Sequence, residues 1–393
     1  MLRKYNTKMK KIKIALTKGD GVGPEIMEIA VAIAIEAAKK DGIKIEFAPA
    51  PMGWNAYEKY KDTLPKESLQ IVKELGILFF GGVGDPQYDN TIGRKHPEMM
   101  PEARCLLTIR KELGLLLNFR PMIFYKALAS LAGVRKERIP EQGIQQHYVR
   151  FLLEDEYFGN KDLRSEIGQE ICEKFGVKSK EKVSGNELII ADIAYYKKET
   201  VEKYFRAVFL YARQIGLPVI CVDKANVLSR YVFWRKICQK IHEQEFVDVA
   251  LFFLYVDSAN ALLFTPEKLR GVIACGNAHG DILSDGAAEA MGSLGMMCSS
   301  AINPDTNAAM FESGAGTAPL LARQDKANPI GRILTAAMML RHIGAENGAQ
   351  AIEFAVNKVL LQGFRTFDIA SNSDDPKKIL GTKAMGEKIF CFL

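Results

Sequence analysis

Two aspartates four residues apart, Asp281 and Asp285 in the segment GNAHGDILSD (Gly276 to Asp285), follow directly on a short apolar run, Gly271 to Cys275. If the chain turns from strand into helix here, both side chains lie one turn apart on one face and can address a single hard cation. A third acid, Asp257, closes the apolar run Val249 to Val256 within LFFLYVDSAN. An aspartate after a strand also reads as a helix cap, and that alternative stands for each residue taken singly. The three together favour a metal, and oxygen-only ligands select Mg²⁺ or Mn²⁺ over Zn²⁺.

Acids placed this way need a framework of strands that end at one edge and helices that begin there. Ile12 to Thr17 reads as a strand and Pro24 to Lys40 as a helix, with proline in its first turn and KKDG at its end. IEFAPAP, a helix around Lys66 to Leu75, a strand Ile77 to Phe80, a helix through Cys105 to Leu113 and a strand-like LLNFRPMIF follow. The middle repeats the alternation with Glu187 to Tyr195, Glu199 to Ile215, Pro218 to Val222 and Phe233 to His242. Such alternation predicts an α/β architecture with crossover helices. Ser130 to Glu156 is polar, lacks a helical period and reads as an excursion from the main body.

The glycines of KGDGVGPE (Lys18 to Glu25) are not spaced G-x-G-x-x-G, and no acid closes a second strand about 20 residues on, as a dinucleotide fingerprint requires. A tight turn at positive φ and a cofactor contact both remain open for this segment. With 393 residues, 48% of them apolar, the chain can bury a large core and fill two domains. Its net charge of +6 is dispersed, with basic stretches such as VKSKEK broken by acids, which reads as solvated surface and not as a nucleic-acid face. No apolar stretch reaches the roughly 18 residues of a membrane span, and the basic N-terminus lacks an apolar signal region. Seven scattered cysteines fit reduced thiols and a cytoplasmic setting.

GDGVGPEI (Gly19 to Ile26), LLTIRKELGLLLNFRP (Leu106 to Pro121), VDKANVL (Val222 to Leu228), YVD (Tyr255 to Asp257), GDILSD (Gly280 to Asp285), GSLGM (Gly292 to Met296) and ANPIGRILTAAMMLRHIG (Ala327 to Gly344) together resemble the β-decarboxylating dehydrogenases. Within them the chain is most similar to the isopropylmalate dehydrogenases, and the likeness runs from about Lys11 to Ile389. The fold this implies is the isopropylmalate/isocitrate dehydrogenase-like two-domain α/β fold, not a Rossmann fold. Residues 1–115 with 292–393 would form a larger domain, and 116–291 a second one with the dimer contacts. By the same resemblance Arg110, Arg120 and Arg150 would clamp two carboxylates, a task suited to the planar guanidinium. Asp257, which also touches substrate, would join Asp281 and Asp285 in holding Mg²⁺ or Mn²⁺. Lys224 would act as base, Tyr157 would reprotonate the enolate carbon, and Leu106 and Leu107 would receive an isopropyl group. NAD contacts would fall on Asn226, Glu312, Gly316, Thr317, Ala318 and Asn328, with NADP left open. Lys224 and Asp257 would reach into a partner subunit's site, making a homodimer with shared active sites.

Some positions depart from the family pattern. ESGAGTAPLLARQDKANP (Glu312 to Pro329) puts Ala315 where the family has an adenine-side histidine and Leu320 where it has a ribose-binding aspartate. Ala103 stands in place of a nicotinamide-side glutamate, Leu153-Glu154-Asp155 in place of Thr-Gly-Gly, and His279 in place of phenylalanine. The expected reaction is the oxidative decarboxylation of a 2-hydroxy acid of the 3-isopropylmalate type. The alternatives are isocitrate, homoisocitrate or a tartrate-like malate as substrate, or a weakened homologue serving as a regulatory or structural subunit.

Overall fold

The computed structural model describes residues 9–134, 136–139, 143–158 and 194–393. Its strands are β1 (Lys10–Thr17), β2 (Ile43–Pro49), β3 (Ile77–Phe80), β4 (Leu117–Ile123), β5 (Gln145–Phe151), β6 (Val219–Asp223), β7 (Leu251–Tyr255), β8 (Gly271–Cys275), β9 (Cys298–Ile302) and β10 (Ala309–Ser313). They join one sheet in the order β2-β1-β3-β10-β9-β4-β5-β8-β6-β7. Both wings are parallel, whereas the centre is antiparallel where β10 meets β9, β9 meets β4 and β4 meets β5. An antiparallel centre excludes the all-parallel Rossmann arrangement.

Strands β6 (VICVD) and β8 (GVIAC) are buried along their whole length, as continuous apolar runs in a parallel sheet should be. The helix Lys198–Ile215 covers them by burying Val201, Tyr204, Phe205, Val208, Phe209 and Ala212, a stripe of helical period, and it stops at Gly216, whose φ of 67° suits a residue without a Cβ. With the helix Ser229–Glu245 it encloses Trp234, which packs edge-on against Phe151 and Phe205. On the other wing the helices Gly23–Ala38, Ile330–His342, Glu346–Leu361 and Thr382–Phe390 bury a second apolar core.

Two expectations need correction here. The segment Ser130 to Glu156 is no excursion, because β5 lies inside it, pairing β4 over seven residues and β8 over five. Polar Gln145, Gln146 and His147 hide the strand pattern, yet Tyr148 and Val149 are fully buried. The apolar run before Asp257 ends as a strand at Tyr255, so Asp257 stands in the first turn of the helix Val256–Leu262. The strand expected at Glu187 to Tyr195 lies outside the described residues except for Ala194 and Tyr195, which belong to no regular element. The glycine turn is a geometric necessity: Gly19 (φ 79°) and Gly21 (φ 56°) take positive φ, and a Cβ on them would strike the carbonyls of Gly82 and Thr317 at 2.2 and 2.1 Å.

Candidate active site

Three arginines from three elements meet at one place. Arg110 comes from the short helix Thr108–Glu112, Arg120 from β4 and Arg150 from β5, and they are 4%, 6% and 2% exposed. Buried cations need partners, and each finds a carboxylate. Arg110 donates to Glu312 of β10 at 2.9 Å. Arg120 donates to Asp285 at 2.8 Å and approaches Asp281 at 3.1 Å, while Arg150 pairs with Asp281. The helix Asn277–Ala290 begins right after β8, so Asp281 and Asp285 stand one turn apart facing the arginines of β4 and β5. Tyr157, in the turn Glu156–Phe158, donates to the second oxygen of Asp281 at 2.9 Å, and its ring lies 5.1 Å from the Arg150 guanidinium.

The charges set the protonation states. Burial works against the Asp281 carboxylate, but Arg150 and Arg120 outweigh it and hold its pKa below the ordinary value. At Asp285 burial wins: with a share of Arg120 and the charge of Asp281 nearby, its pKa is raised. Burial also raises the Tyr157 phenol, helped by the negative charge of Asp281, so the hydroxyl keeps its proton at neutral pH.

Lys224 and Asp257 form a separate pair. The Lys224 ammonium donates to both Asp257 oxygens at 2.6 and 2.5 Å, and the Asp257 side chain is 63% exposed. The hydrogen bond from Lys224 lowers the Asp257 pKa. Among the described residues no three His, Cys, Asp or Glu side chains gather as a metal would require. The three-aspartate cluster is therefore not formed within one chain. Strand β6 separates β7 from β8, so the elements bearing Asp257 and Asp281 start about 10 Å apart across the sheet.

Leu106 and Leu107 lie half-buried in the π-helical turn Glu102–Leu107, one turn before Arg110. Asn226 is exposed in the turn after β6. In the loop after β10, the Thr317 carbonyl accepts from Val22, Gly316 has φ 63° and Ala318 φ 36°. The amide of Asn328 is already engaged, donating to Asp368 at 3.0 Å and accepting from the Ile330 N–H at 2.9 Å. Leu320 is 88% exposed and offers no polar group. Sequence reasoning missed Asn118 and Ser284, which orient Arg120 at 3.0 and 2.8 Å, and Asn277, which accepts from Arg150 Nε at 2.8 Å. All three sit inside quoted segments, Asn118 in LLTIRKELGLLLNFRP, Asn277 in GNAHGDILSD and Ser284 in GDILSD, so the signal was their place within those motifs.

Two strand-borne arginines facing paired aspartates at a helix start, with a third arginine from a helix beside them, on a sheet of this strand order, define a protein class. The chain belongs to the isocitrate/isopropylmalate dehydrogenase family, whose model it matches over residues 13–389, and so to the decarboxylating dehydrogenases. It is 36% identical over 382 residues to a 3-isopropylmalate dehydrogenase of Desulfotalea psychrophila, covering 97% of this chain and 99% of that one. A 3-isopropylmalate dehydrogenase of Oleidesulfovibrio alaskensis is 38% identical over 379 residues, with 96% and 98% covered. Among solved structures, isocitrate dehydrogenase from Methylococcus capsulatus superposes with a TM-score of 0.78 at 29% identity, covering 97% of this chain and 99% of that chain.

Proposed function

We propose that this chain oxidises and decarboxylates a 2-hydroxy acid of the 3-isopropylmalate type, passing hydride to NAD with Mg²⁺ or Mn²⁺ bound, as a cytoplasmic step of leucine biosynthesis. The observation that carries the reading is the convergence of buried Arg110, Arg120 and Arg150, each paired with a carboxylate, in a chain 36% identical to a 3-isopropylmalate dehydrogenase. Carboxylates that already satisfy a buried guanidinium mark the places where substrate carboxylates would exchange in.

The oxygen-only pair Asp281 and Asp285 suits a hard dication, and Asp257 of a second copy would complete the set. When bound, that cation supplies Lewis acidity at the oxygens of the reacting carbons. Lys224 of the second copy, in its neutral amine form, takes the hydroxyl proton and becomes the ammonium. Tyr157, kept protonated by burial and by Asp281, delivers a proton to the carbon that CO₂ leaves. Leu106 and Leu107, half-buried beside Arg110, receive an apolar side chain and offer no group for a third carboxylate. The loop Glu312 to Pro329 faces NAD, and the reaction cleft lies between residues 1–115 with 292–393 and residues 116–291.

The sharing of a site between two copies is supported by exposed apolar residues on or beside the elements that carry Lys224, Asp257 and Asp281: Val227 (69%), Phe252 (56%), Phe264 (55%) and Ile282 (68%). No described helix is long and apolar enough to cross a membrane. The test is absorbance at 340 nm with Mn²⁺, either dinucleotide and a panel of malates. Reduction of NAD with 3-isopropylmalate supports the reading; faster turnover of isocitrate, or none with any malate, refutes it.

A further inference from the structure

The segment Leu153-Glu154-Asp155 breaks the family pattern, and Asp155 is its most unusual member. It is fully buried and adopts φ 72°, a left-handed conformation that disfavours most side chains. Its Oδ2 accepts from the Tyr196 hydroxyl at 2.6 Å, from the main-chain N–H of Asn277 at 3.1 Å and from the Tyr231 hydroxyl at 3.4 Å. Its Oδ1 faces Arg230 Nε at 3.3 Å, and Arg230 also pairs with Glu156. The neighbouring helix start is shaped for this group: a Cβ on Gly276 would lie 2.8 Å from Asp155 Oδ2, 2.5 Å from the Tyr196 hydroxyl and 2.7 Å from that of Tyr231.

The contact with Asn277 connects this buried carboxylate to the arginine cluster. Asn277 opens the helix that carries Asp281 and Asp285, where a negative charge is favourable to the helix dipole. Its side chain is fully committed: Nδ2 donates to the carbonyls of Leu152 (3.0 Å) and Glu154 (3.2 Å), and Oδ1 accepts from Arg150 Nε at 2.8 Å. The Asp155 carboxylate thus fixes the Asn277 backbone, and the Asn277 amide fixes the plane of the Arg150 guanidinium and the strand end that leads into Tyr157.

We propose that Asp155 is a positioning residue for the reaction: through Asn277 it aims Arg150 at the substrate carboxylate. This rests on the dehydrogenase reading above, since Arg150 must be a substrate ligand for its aim to matter in turnover. Asp155→Asn keeps the shape and tolerates positive φ but loses the charge; Asp155→Gly keeps the backbone and deletes the group.

The test compares both variants with the wild type by steady-state kinetics and by NMR of the Arg150 Nε–H, assigned through its loss in Arg150→Lys. Expected are a KM for 3-isopropylmalate about 10-fold higher in Asp155→Asn and higher still in Asp155→Gly, with kcat changed less than about 3-fold. The Arg150 Nε–H should exchange faster with water in the same order, and Asn277→Ala should reproduce both effects. A lowered melting temperature with KM and Nε–H exchange unchanged would overturn the proposal, leaving Asp155 a purely structural group. If the wild type reduces no dinucleotide with any malate, the dehydrogenase reading fails, and Arg150 Nε–H exchange alone decides whether Asp155 controls that guanidinium.

Discussion

Replacing Asp281 by asparagine removes one negative charge from beside two buried cations. Arg120 keeps Asp285 at 2.8 Å, but Arg150, 2% exposed, loses its carboxylate partner. Breaking a buried pair from one side costs about 3–5 kcal/mol. An amide oxygen still accepts a hydrogen bond and the Asp281 side chain is 27% exposed, so the expected loss is roughly 2–3 kcal/mol. For a chain of this length that lowers the melting temperature by about 2–4 °C. The pKa of Asp281 is lowered on folding, so the stability it lends is present above the ordinary aspartate value and lost as pH falls through the folded one. The gap between wild type and variant should therefore narrow below about pH 4. Ligand binding should invert with metal. In chelator the variant should bind a malate about 10-fold more tightly, since the ligand carboxylate no longer competes with Asp281 for Arg150. With Mn²⁺ the wild type should bind it more tightly. Calorimetry in both conditions checks this, and equal metal-free affinities would refute the argument that Asp281 stands in for a substrate carboxylate.

Mixing inactive Lys224→Ala and Tyr157→Phe subunits should restore activity if Lys224 serves a partner's site; no recovery despite proven subunit exchange would mean each site is built from one chain. NAD affinity should be low, because Ala315 and Leu320 forgo contacts worth about 2–4 kcal/mol, or about 30- to 1000-fold. Ala315→His with Leu320→Asp should tighten it in a fluorescence titration, and no gain would show that these positions do not face the dinucleotide. Burial and neighbouring Asp155 push the Glu156 carboxyl up to about 7, so the stability it contributes is complete below the ordinary glutamate value and lost as pH rises through about 7. Melting curves of Glu156→Gln should accordingly fall less between pH 5 and pH 8 than those of the wild type; parallel declines would contradict this.

Local pattern accounted for much of the framework and little of the wiring. The runs Ile77–Phe80 and Gly271–Cys275 and the helix Lys66–Leu75 were legible because apolar period and flanking glycines agree. Strand β5 was not, since Gln145, Gln146 and His147 look solvated until distant segments supply partners: Arg270 donates to Gln145 at 2.8 Å, and Tyr211 meets His147 at 2.9 Å. Asp281 and Asp285 were found from spacing, but their engagement with Arg150 and Arg120 spans 131 and 165 residues of chain, beyond any local signal. The separation of Asp257 from them follows from strand order, which single-chain spacing does not encode. Asp155 was visible as a departure from the family, whereas its burial was not.

The narrow ladder between β9 and β4 has a mechanical consequence. Only Leu117, Asn118 and Phe119 pair there, against seven residues between β4 and β5. Like the β1–β3 and β3–β10 ladders it holds three residue pairs, and it is the seam across which the two wings of the sheet are joined. Asn118, the middle one, ties the seam by donating to Ser299 at 2.7 Å and to the Ser300 carbonyl at 3.1 Å, and its remaining oxygen holds Arg120. Any flexing of that joint is geared to the tilt of an arginine in the cluster, so the line joining the two wings and the orientation of the charged centre form one linkage.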